Sequence, residues 1–223
     1  MCPSPPPPSL ASWVNRCPLT AWGYELWRAR ALSLLSGRSF PLEEELALMC
    51  RALAPVEGGV FLDLGASTGL YARALLRAGA ARVYALDYAP TMLRMAVRKA
   101  RRHPGLVPLL AYAEAIPLPD AVLDGVAVGG TWNEFSHPER VVQELYRVLR
   151  PGGRLWVMFA HRTESPLQGL LERAGLRFPT LWGLRALLEG EGFGVEGWRE
   201  ASVGFVVGTK VARREGQHAD DKS

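Results

Sequence analysis

The stretch "VFLDLGASTGLYARALL", residues 60–76, indicates how the whole chain is organised. An aliphatic run ends beside Asp63, a turn containing Gly65 and Gly69 follows, and apolar residues then recur at helical spacing. Glycine allows a tight turn and a close approach of the backbone to a ligand, and the first turn of a helix offers free N–H groups. The stretch therefore predicts a strand, a ligand-binding turn and a helix.

Short strands and helices continue to alternate after this unit. Strands are predicted at about 59–64, 82–87, 106–111, 122–129 and 154–160, with helical repeats between them. This alternation is typical of a parallel sheet that is covered by helices on both faces. Two further helices precede the strands "FGVEGWREA" and "VGFVVGTKVA", whose connection is too short for a parallel crossover. We therefore predict an α/β fold, a doubly wound and mostly parallel sheet with a C-terminal antiparallel hairpin.

The composition of its segments divides the chain into four parts. Residues 1–19 are proline-rich and residues 213–223 are polar, and both are predicted to be disordered tails. Residues 20–57 are predicted to form an N-terminal helical lid, and residues 58–212 the ligand-binding α/β domain. Three aromatic residues of the lid could close over a substrate or pack against the sheet: Trp22, Tyr24 and Trp27.

The overall composition restricts where the protein works and what it binds. With 223 residues, 48% of them hydrophobic, the chain can bury the core of one domain. No apolar run reaches the roughly 18 residues that cross a bilayer, and the first residues lack a secretory pattern. We expect a cytoplasmic location and no membrane partner. The cysteines are odd in number and not spaced as metal ligands, so no metal is expected: Cys2, Cys17 and Cys50.

The formal net charge of +4 comes mainly from arginine, which is densest in "RMAVRKARR", residues 94–102. One interpretation is a solvated helix end, where cations complement the helix dipole. The other is a patch that binds nucleic acid. The chain contains no recognisable nucleic-acid-binding module, which favours the helix end.

The glycine turn is compatible with two kinds of nucleotide ligand. "GASTG" is also similar to the turn of short-chain dehydrogenases, and Asp87 lies where an acid would hold ribose hydroxyls in either case. However, Asp63 would repel a pyrophosphate, whereas it would attract a cationic ligand. Tyr71 occupies the third glycine position of a dinucleotide turn, and no tyrosine is followed four residues later by lysine. These features disfavour hydride transfer.

Four segments, in this order, resemble the class I S-adenosylmethionine-dependent methyltransferases, particularly the quinone-ring methylases. The segments are "FLDLGASTG", "VYALDYAPTMLRMA", "AEAIPLPDAVLDGVAV" and "ERVVQELYRVLRPGGRLWVM". The resemblance covers residues 58–160, about half of the chain. It implies a Rossmann-like methyltransferase fold and S-adenosylmethionine as the cofactor.

The resemblance also assigns roles to individual residues. Asp63 and the turn 65–69 would face the methionine part of the cofactor, Asp87 would accept its ribose hydroxyls, and Tyr88 would lie against adenine. The alternative for Asp87 is a helix N-cap. The implied cofactor-binding set is Asp63, Gly65, Ala66, Ser67, Gly69, Asp87, Tyr88, Tyr112, Ala113, Glu114 and Gly130.

Two residues depart from the family pattern. Ser67 replaces a glycine, which is costly only if its φ is positive. Tyr112 replaces an acid that accepts a hydrogen bond from the adenine amino group. Tyr112 could stack on the base instead, and Ala113 could donate its N–H to the ring.

The methyl acceptor is expected beside "GGTWNEFSHPER", after the fourth strand. Methyl transfer depends mainly on holding the acceptor close and aligned, and it needs a base only if the acceptor must lose a proton. The catalytic candidates are Asn133, Glu134 and His137, with His161 at the end of the fifth strand. Plain structural alternatives are a helix start for His137, a solvated loop acid for Glu134 and a strand end for His161.

The sequence thus predicts a methyltransferase that acts on a small, partly apolar molecule. Two alternatives remain open, a catalytically idle cofactor-binding protein on the same fold and a methyltransferase of structured RNA. The sequence leaves the oligomeric state open.

Overall fold

A computed structural model describes residues 41–211 of the chain. The predicted tails, 1–19 and 213–223, and the lid segment up to residue 40 lie outside these residues, as do Trp22, Tyr24 and Trp27. The helices are α1 Leu42–Ala52, α2 Leu70–Arg77, α3 Pro90–Lys99, α4 Pro138–Val148, α5 Pro166–Arg173 and α6 Leu181–Glu191. The strands are β1 Val60–Leu64, β2 Arg82–Asp87, β3 Leu106–Leu110, β4 Leu123–Val128, β5 Leu149–Ala160, β6 Phe193–Glu200 and β7 Val203–Lys210.

The seven strands form one sheet in the order β3-β2-β1-β4-β5-β7-β6. Strands β1 to β5 are parallel, and β7 is antiparallel to both of its neighbours. This arrangement confirms the predicted doubly wound sheet and its C-terminal hairpin. Strand β5 begins at Leu149, earlier than the predicted residue 154, because it continues directly from α4 and its register with β4 shifts between Leu123 and Gly125.

The central strands are buried on both faces, which is why they read as continuous apolar runs. Alternate residues of a strand point to opposite faces of the sheet. Leu62 and Leu64 of β1 belong to one hydrophobic cluster, whereas Phe61 belongs to the cluster on the other face together with Trp156 of β5. Helices on both faces of the sheet complete these clusters. A ligand site is therefore expected at an end of the sheet and not on one of its faces.

One end of the sheet has the geometry of a ligand site. The carboxyl ends of the parallel strands meet there, and β1 lies between β2 and β4, so the connections on its two sides run in opposite directions. Ligands of open α/β sheets bind in the crevice at such a switch point. Within residues 41–211, no helix combines the length and apolarity required to cross a membrane.

Candidate active site

The turn after β1 contains three residues with positive φ. Gly65 has φ +70°, Ser67 +48° and Gly69 +73°. The N–H groups of Gly65 and Ala66 both donate to the Leu86 carbonyl at 2.9 Å, and that of Gly69 donates to the Ala66 carbonyl at 2.7 Å. The turn therefore uses these N–H groups to join β1 to β2 and to close itself.

Asp63 is buried, with 3% of its surface exposed, and lies under the start of α2. Its Oδ2 atom accepts a hydrogen bond from the Ala72 N–H at 2.9 Å. The expectation that the helix start offers its N–H groups to a ligand is therefore wrong at Ala72. A carboxylate at this point interacts favourably with the helix dipole and occupies the place where a pyrophosphate would bind. The geometry agrees with the argument against a dinucleotide.

Ser67 departs from the family pattern at a position where the backbone is left-handed. An L-residue costs roughly 1–2 kcal/mol in this conformation relative to the right-handed one. Two contacts offset that cost: the Ser67 N–H donates to Asp87 Oδ2 at 2.8 Å, and Oγ lies 3.5 Å from Met92 Sδ. Ser67 therefore has the positive φ that makes its replacement of glycine costly. The hydrogen bond from its N–H to Asp87 helps to hold the turn in this shape.

Asp87 ends β2 with a carboxylate that is 6% exposed. Besides Ser67, the Ala89 N–H donates to it, to Oδ1 at 2.8 Å. Ala89 is the N-cap of α3, so the alternative of Asp87 as that cap is wrong. Burial raises the pKa of Asp87, and the N–H donors of Ala89, Ser67 and Tyr88 oppose that rise. Because a carboxylate has about four acceptor positions and these N–H groups take three of them, about one position remains for a ligand hydroxyl.

Tyr88 and Tyr112 follow the ends of the neighbouring strands β2 and β3. Their ring planes are 3° from parallel, with centroids 6.1 Å apart. Ala113 is buried and Glu114 is half-buried in a turn that the Ala115 N–H closes on the Tyr112 carbonyl at 3.2 Å. Both tyrosines therefore follow strand ends at the edge of the sheet where Asp87 ends β2.

Arg147 of α4 holds the loop that carries Tyr112, a role that the sequence analysis did not predict. Its guanidinium donates to the Ile116 and Leu118 carbonyls at 2.8 Å each, and also to Asp120 and Glu144. Glu144 in turn accepts the Ile116 N–H at 2.7 Å. Burial would raise the pKa of Glu144, but its hydrogen bonds with Arg147 and Ile116 lower it below the ordinary value. The spacing of Glu144 and Arg147 on one helix was the only signal in the sequence.

Thr131 closes the crevice between β1 and β4. It belongs to a 3-10 helix, Gly130–Glu134, and its Oγ1 donates to the Gly65 carbonyl at 3.3 Å. A Cβ atom on Gly65 would lie 2.2 Å from Thr131 Cγ2, closer than two such atoms can approach. Glycine is therefore required at position 65 because Thr131 packs against it. Thr131 lies in the predicted acceptor region, but it was not among the predicted site residues.

Asn133 has a structural role that accounts for its amide. Its Nδ2 donates to the carbonyls of Ala160 and Arg177 at 2.9 and 2.6 Å, and its Oδ1 accepts the Ala160 N–H at 2.8 Å. Since an amide has two N–H donors, both are engaged. This side chain therefore joins the 3-10 helix to β5 and to the chain before α6, and a catalytic role for Asn133 stays a prediction.

The remaining candidates lie at different depths. Glu134 is half-buried at the end of the 3-10 helix, and His137 is exposed at the N-cap of α4, the helix-start role considered above. His161 is 8% exposed, and its Nδ1 lies 2.6 Å from the Arg162 carbonyl. Because a carbonyl only accepts, Nδ1 carries the proton and Nε2 is the basic nitrogen. Glu134, His137 and His161 therefore stay predictions as proton acceptors.

The site thus has two halves. The ends of β1, β2 and β3 bring together the turn, Asp87 and the two tyrosine rings, whereas the ends of β4 and β5 carry Gly130, Glu134 and His161. The first half offers a carboxylate and ring faces, which suit the ribose and the base of an adenosyl group. The residues present therefore fit S-adenosylmethionine.

Comparison with known proteins agrees with this fit. A family model described as a methyltransferase domain matches residues 62–157. A demethylmenaquinone methyltransferase of Thermus thermophilus is 44% identical over 99 residues, which are 44% of this chain and 45% of that protein. A ubiquinone/menaquinone biosynthesis C-methyltransferase of Bordetella avium is 38% identical over 110 residues, 48% of this chain and 43% of that protein. The match thus spans less than half of each relative.

Solved structures extend the likeness of the fold. A SAM-dependent methyltransferase from Aquifex aeolicus matches with a TM-score of 0.61 and 23% identity, over 75% of this chain and 90% of that one. An identity this low shows the shared architecture alone, which confirms the predicted Rossmann-like fold. Over residues 62–157 the chain is therefore similar to methyltransferase domains, in agreement with the class I, S-adenosylmethionine-dependent type that the sequence predicts.

Proposed function

We propose that this protein transfers a methyl group from S-adenosylmethionine to a small, partly apolar molecule. When bound, this cofactor supplies a methyl group on a sulfonium that a nucleophile can displace in line. The chain's contribution is to bind the adenosyl group, to hold the acceptor beside β4 and β5, and to exclude water.

The observation that carries the proposal is the environment of Asp87. Its carboxylate is buried, accepts the N–H groups of Ser67 and Ala89 at 2.8 Å each, and ends the strand that Tyr88 follows. A buried carboxylate with raised pKa is stabilised by ligand hydroxyls that donate to it. Asp87→Ala should therefore weaken S-adenosylhomocysteine binding by about 1.5–3 kcal/mol, the contribution of one hydrogen bond to a charged group.

An acceptor with an apolar part is supported by the helices after β5. Three side chains there are exposed although they are large and apolar: Leu167 at 61%, Leu170 at 62% and Trp182 at 76%. Helix α5 is joined to His161, because Gln168 Nε2 donates to the His161 carbonyl at 2.9 Å. These apolar side chains therefore belong to the helices that follow the end of β5, and the first of these helices is bonded to the backbone of His161.

The relatives suggest a more specific acceptor, a quinone ring with an apolar tail. Both relatives are named as quinone-biosynthesis methyltransferases, and the family match ends at residue 157, before α5 and α6 begin. The elements next to the acceptor therefore lie beyond the matched segment. Because the two relatives are quinone methyltransferases, we propose the quinone class as the first substrate to test. We also propose that the protein is located in the cytoplasm.

A labelling experiment tests the proposed function. The protein is incubated with methyl-labelled S-adenosylmethionine and, separately, with a prenylated naphthoquinol that lacks a ring methyl group, with its tail-less analogue, and with bulk tRNA. We expect label on the prenylated compound, less on the tail-less one, and none with Asp87→Ala; a surface variant, Glu189→Gln, should label normally. Label on tRNA alone would refute the proposal in favour of an RNA methyltransferase. Binding of S-adenosylhomocysteine without label on any metabolite of a broad panel would favour an idle protein.

A further inference from the structure

Glu45 is a fully buried carboxylate that joins α1 to α2. It lies in α1, and none of its surface is exposed. Its Oε1 atom accepts a hydrogen bond from the hydroxyl of Tyr71, a side chain that is 4% exposed. Taking a carboxylate out of water is costly even when it is hydrogen-bonded, and an apolar residue at the same place would avoid that cost. The buried carboxylate therefore indicates that this particular contact has a role beyond packing.

Tyr71 places the contact at the start of α2. The helix begins at Leu70, directly after the glycine turn, so Tyr71 lies in its first turn. The next residue, Ala72, donates its N–H to Asp63 Oδ2 at 2.9 Å. Adjacent residues thus bond the first turn of α2 to two other elements, Tyr71 to α1 and Ala72 to β1. The position of this turn relative to Asp63 is therefore fixed by both contacts.

Asp63 lies where the amino-acid end of the cofactor is expected. Strand β1 lies between β2, which ends in Asp87, and β4, beside which the acceptor is expected. A cofactor whose ribose is held at Asp87 and whose methyl group faces the acceptor would therefore cross the end of β1. Asp63 is a buried anion at this place, and the α-amino group of the amino-acid end is a cation. Their attraction depends on how closely Asp63 is held to its position.

We propose that Glu45 is a positioning residue for the amino-acid end of S-adenosylmethionine, acting through Tyr71 and Asp63. The inference rests on the proposed function, because it concerns the same cofactor. Glu45 precedes the matched segment 62–157, so the contact depends on a part of the chain outside the family match. Binding sites hold their contacting groups to within about 0.5 Å through the residues behind them. Loss of the contact should therefore weaken binding of the amino-acid end and leave binding of the adenosine part unchanged.

Calorimetry with two ligands tests the inference on the full chain. The ligands are S-adenosylhomocysteine and 5′-methylthioadenosine, which keeps the adenosine and the thioether but lacks the amino-acid end. Tyr71→Phe and Glu45→Leu should each weaken S-adenosylhomocysteine by roughly tenfold, the loss of one charge-assisted contact, and 5′-methylthioadenosine by less than about twofold. Glu45→Gln keeps an oxygen that can accept the Tyr71 hydroxyl, so it should recover most of the loss.

The chain provides a matched control and a test of coupling. Tyr146→Phe also removes a tyrosine hydroxyl, one that donates to the Val211 carbonyl at 3.2 Å, and it should change neither affinity. Tyr71→Phe combined with Glu45→Leu should weaken S-adenosylhomocysteine no more than either change alone, because both remove the same contact. Additive losses would show that the two residues act separately, which contradicts the inference.

The remaining outcomes separate this inference from the proposed function. Equal weakening of both ligands in Tyr71→Phe, or of neither, would overturn the inference. It would also be overturned if the unmodified protein bound S-adenosylhomocysteine no more tightly than 5′-methylthioadenosine. Failure of the unmodified protein to bind either ligand would instead refute the proposed function. Partial unfolding of a variant cannot produce the expected result, because it lowers the apparent affinity for both ligands alike.

Discussion

Arg147 offers the sharpest test of how the site is built. All five of its N–H donors have acceptors: Nε and one Nη2 proton on Glu144, one Nη1 proton on Asp120, and one each on the Leu118 and Ile116 carbonyls. Arg147→Met would leave the carboxylate of Glu144 and two carbonyls without their donor. Hydrogen bonds to charged groups contribute about 1.5–3 kcal/mol each. These bonds are not additive, and the side chain is 30% exposed.

We therefore expect Arg147→Met to lower the free energy of unfolding by about 2–4 kcal/mol. For a domain of this size, that corresponds to a fall in Tm of roughly 5–12 °C. Arg147→Lys keeps the charge but offers its three donors from one atom, so it should recover less than half of the loss. Thermal and urea unfolding measure the stability of both variants. Calorimetry with S-adenosylhomocysteine reports whether each variant still binds this ligand when the loop that carries Tyr112 has lost its anchor.

The chain provides a matched control for this experiment. Arg185 and Glu189 form an i,i+4 ion pair on α6 at 2.6 Å, with both side chains more than 40% exposed. Such surface pairs contribute about 0.3–0.5 kcal/mol, so Arg185→Met should change Tm little and leave ligand binding intact. If Arg147→Met were no more destabilising than Arg185→Met, the argument that Arg147 fixes the loop would be refuted.

Three further predictions concern the turn and its acid. Gly65→Ala should destabilise the protein clearly more than Gly152→Ala, because both positions have positive φ but only residue 65 meets Thr131; equal losses in urea unfolding would contradict the packing argument. Ser67→Gly should leave stability unchanged or raise it by up to about 1 kcal/mol, since glycine adopts φ +48° without strain, and a clear loss would show that the contact with Met92 contributes more. Because burial raises the pKa of Asp87 above 3.8, the stability of the unmodified protein relative to Asp87→Asn is greatest below that pH and falls as the pH rises through the raised pKa. Parallel unfolding curves of the two proteins would contradict the assignment, as would a S-adenosylhomocysteine affinity that does not weaken on acidification through the same range.

The sequence predicted the sheet well because its signals are local. Strand runs, helix repeats and the short connection between β6 and β7 each lie within a few residues, and the structure confirms them. The function of single side chains was harder, because their partners are distant. Asn133 is engaged by Arg177, 44 residues away. Arg147 binds a loop about 30 residues earlier.

The sequence could define the possible outcomes for some residues without deciding between them. For Ser67, the cost depends on the sign of φ, and only the backbone of the turn determines that sign. For Asp63, the Ala72 partner is nine residues away and belongs to the first turn of α2, so a capping role could have been predicted from the helix start. For Tyr112, the substitution was visible, but the parallel ring of Tyr88 was not.

The position of β7 in the sheet has a consequence for synthesis on the ribosome. Strand β5 pairs with β7 from Arg154 to Ala160, and β6 at the edge of the described sheet pairs with β7 along its whole length. A nascent chain that has not yet released residues 203–210 from the exit tunnel therefore presents an unpaired β5 edge that includes Trp156, Met158 and Phe159. Exposed apolar strand edges are sites of aggregation. We expect translation pauses or truncations shortly before residue 203 to yield insoluble or chaperone-bound chains, although the whole cofactor half has by then been made.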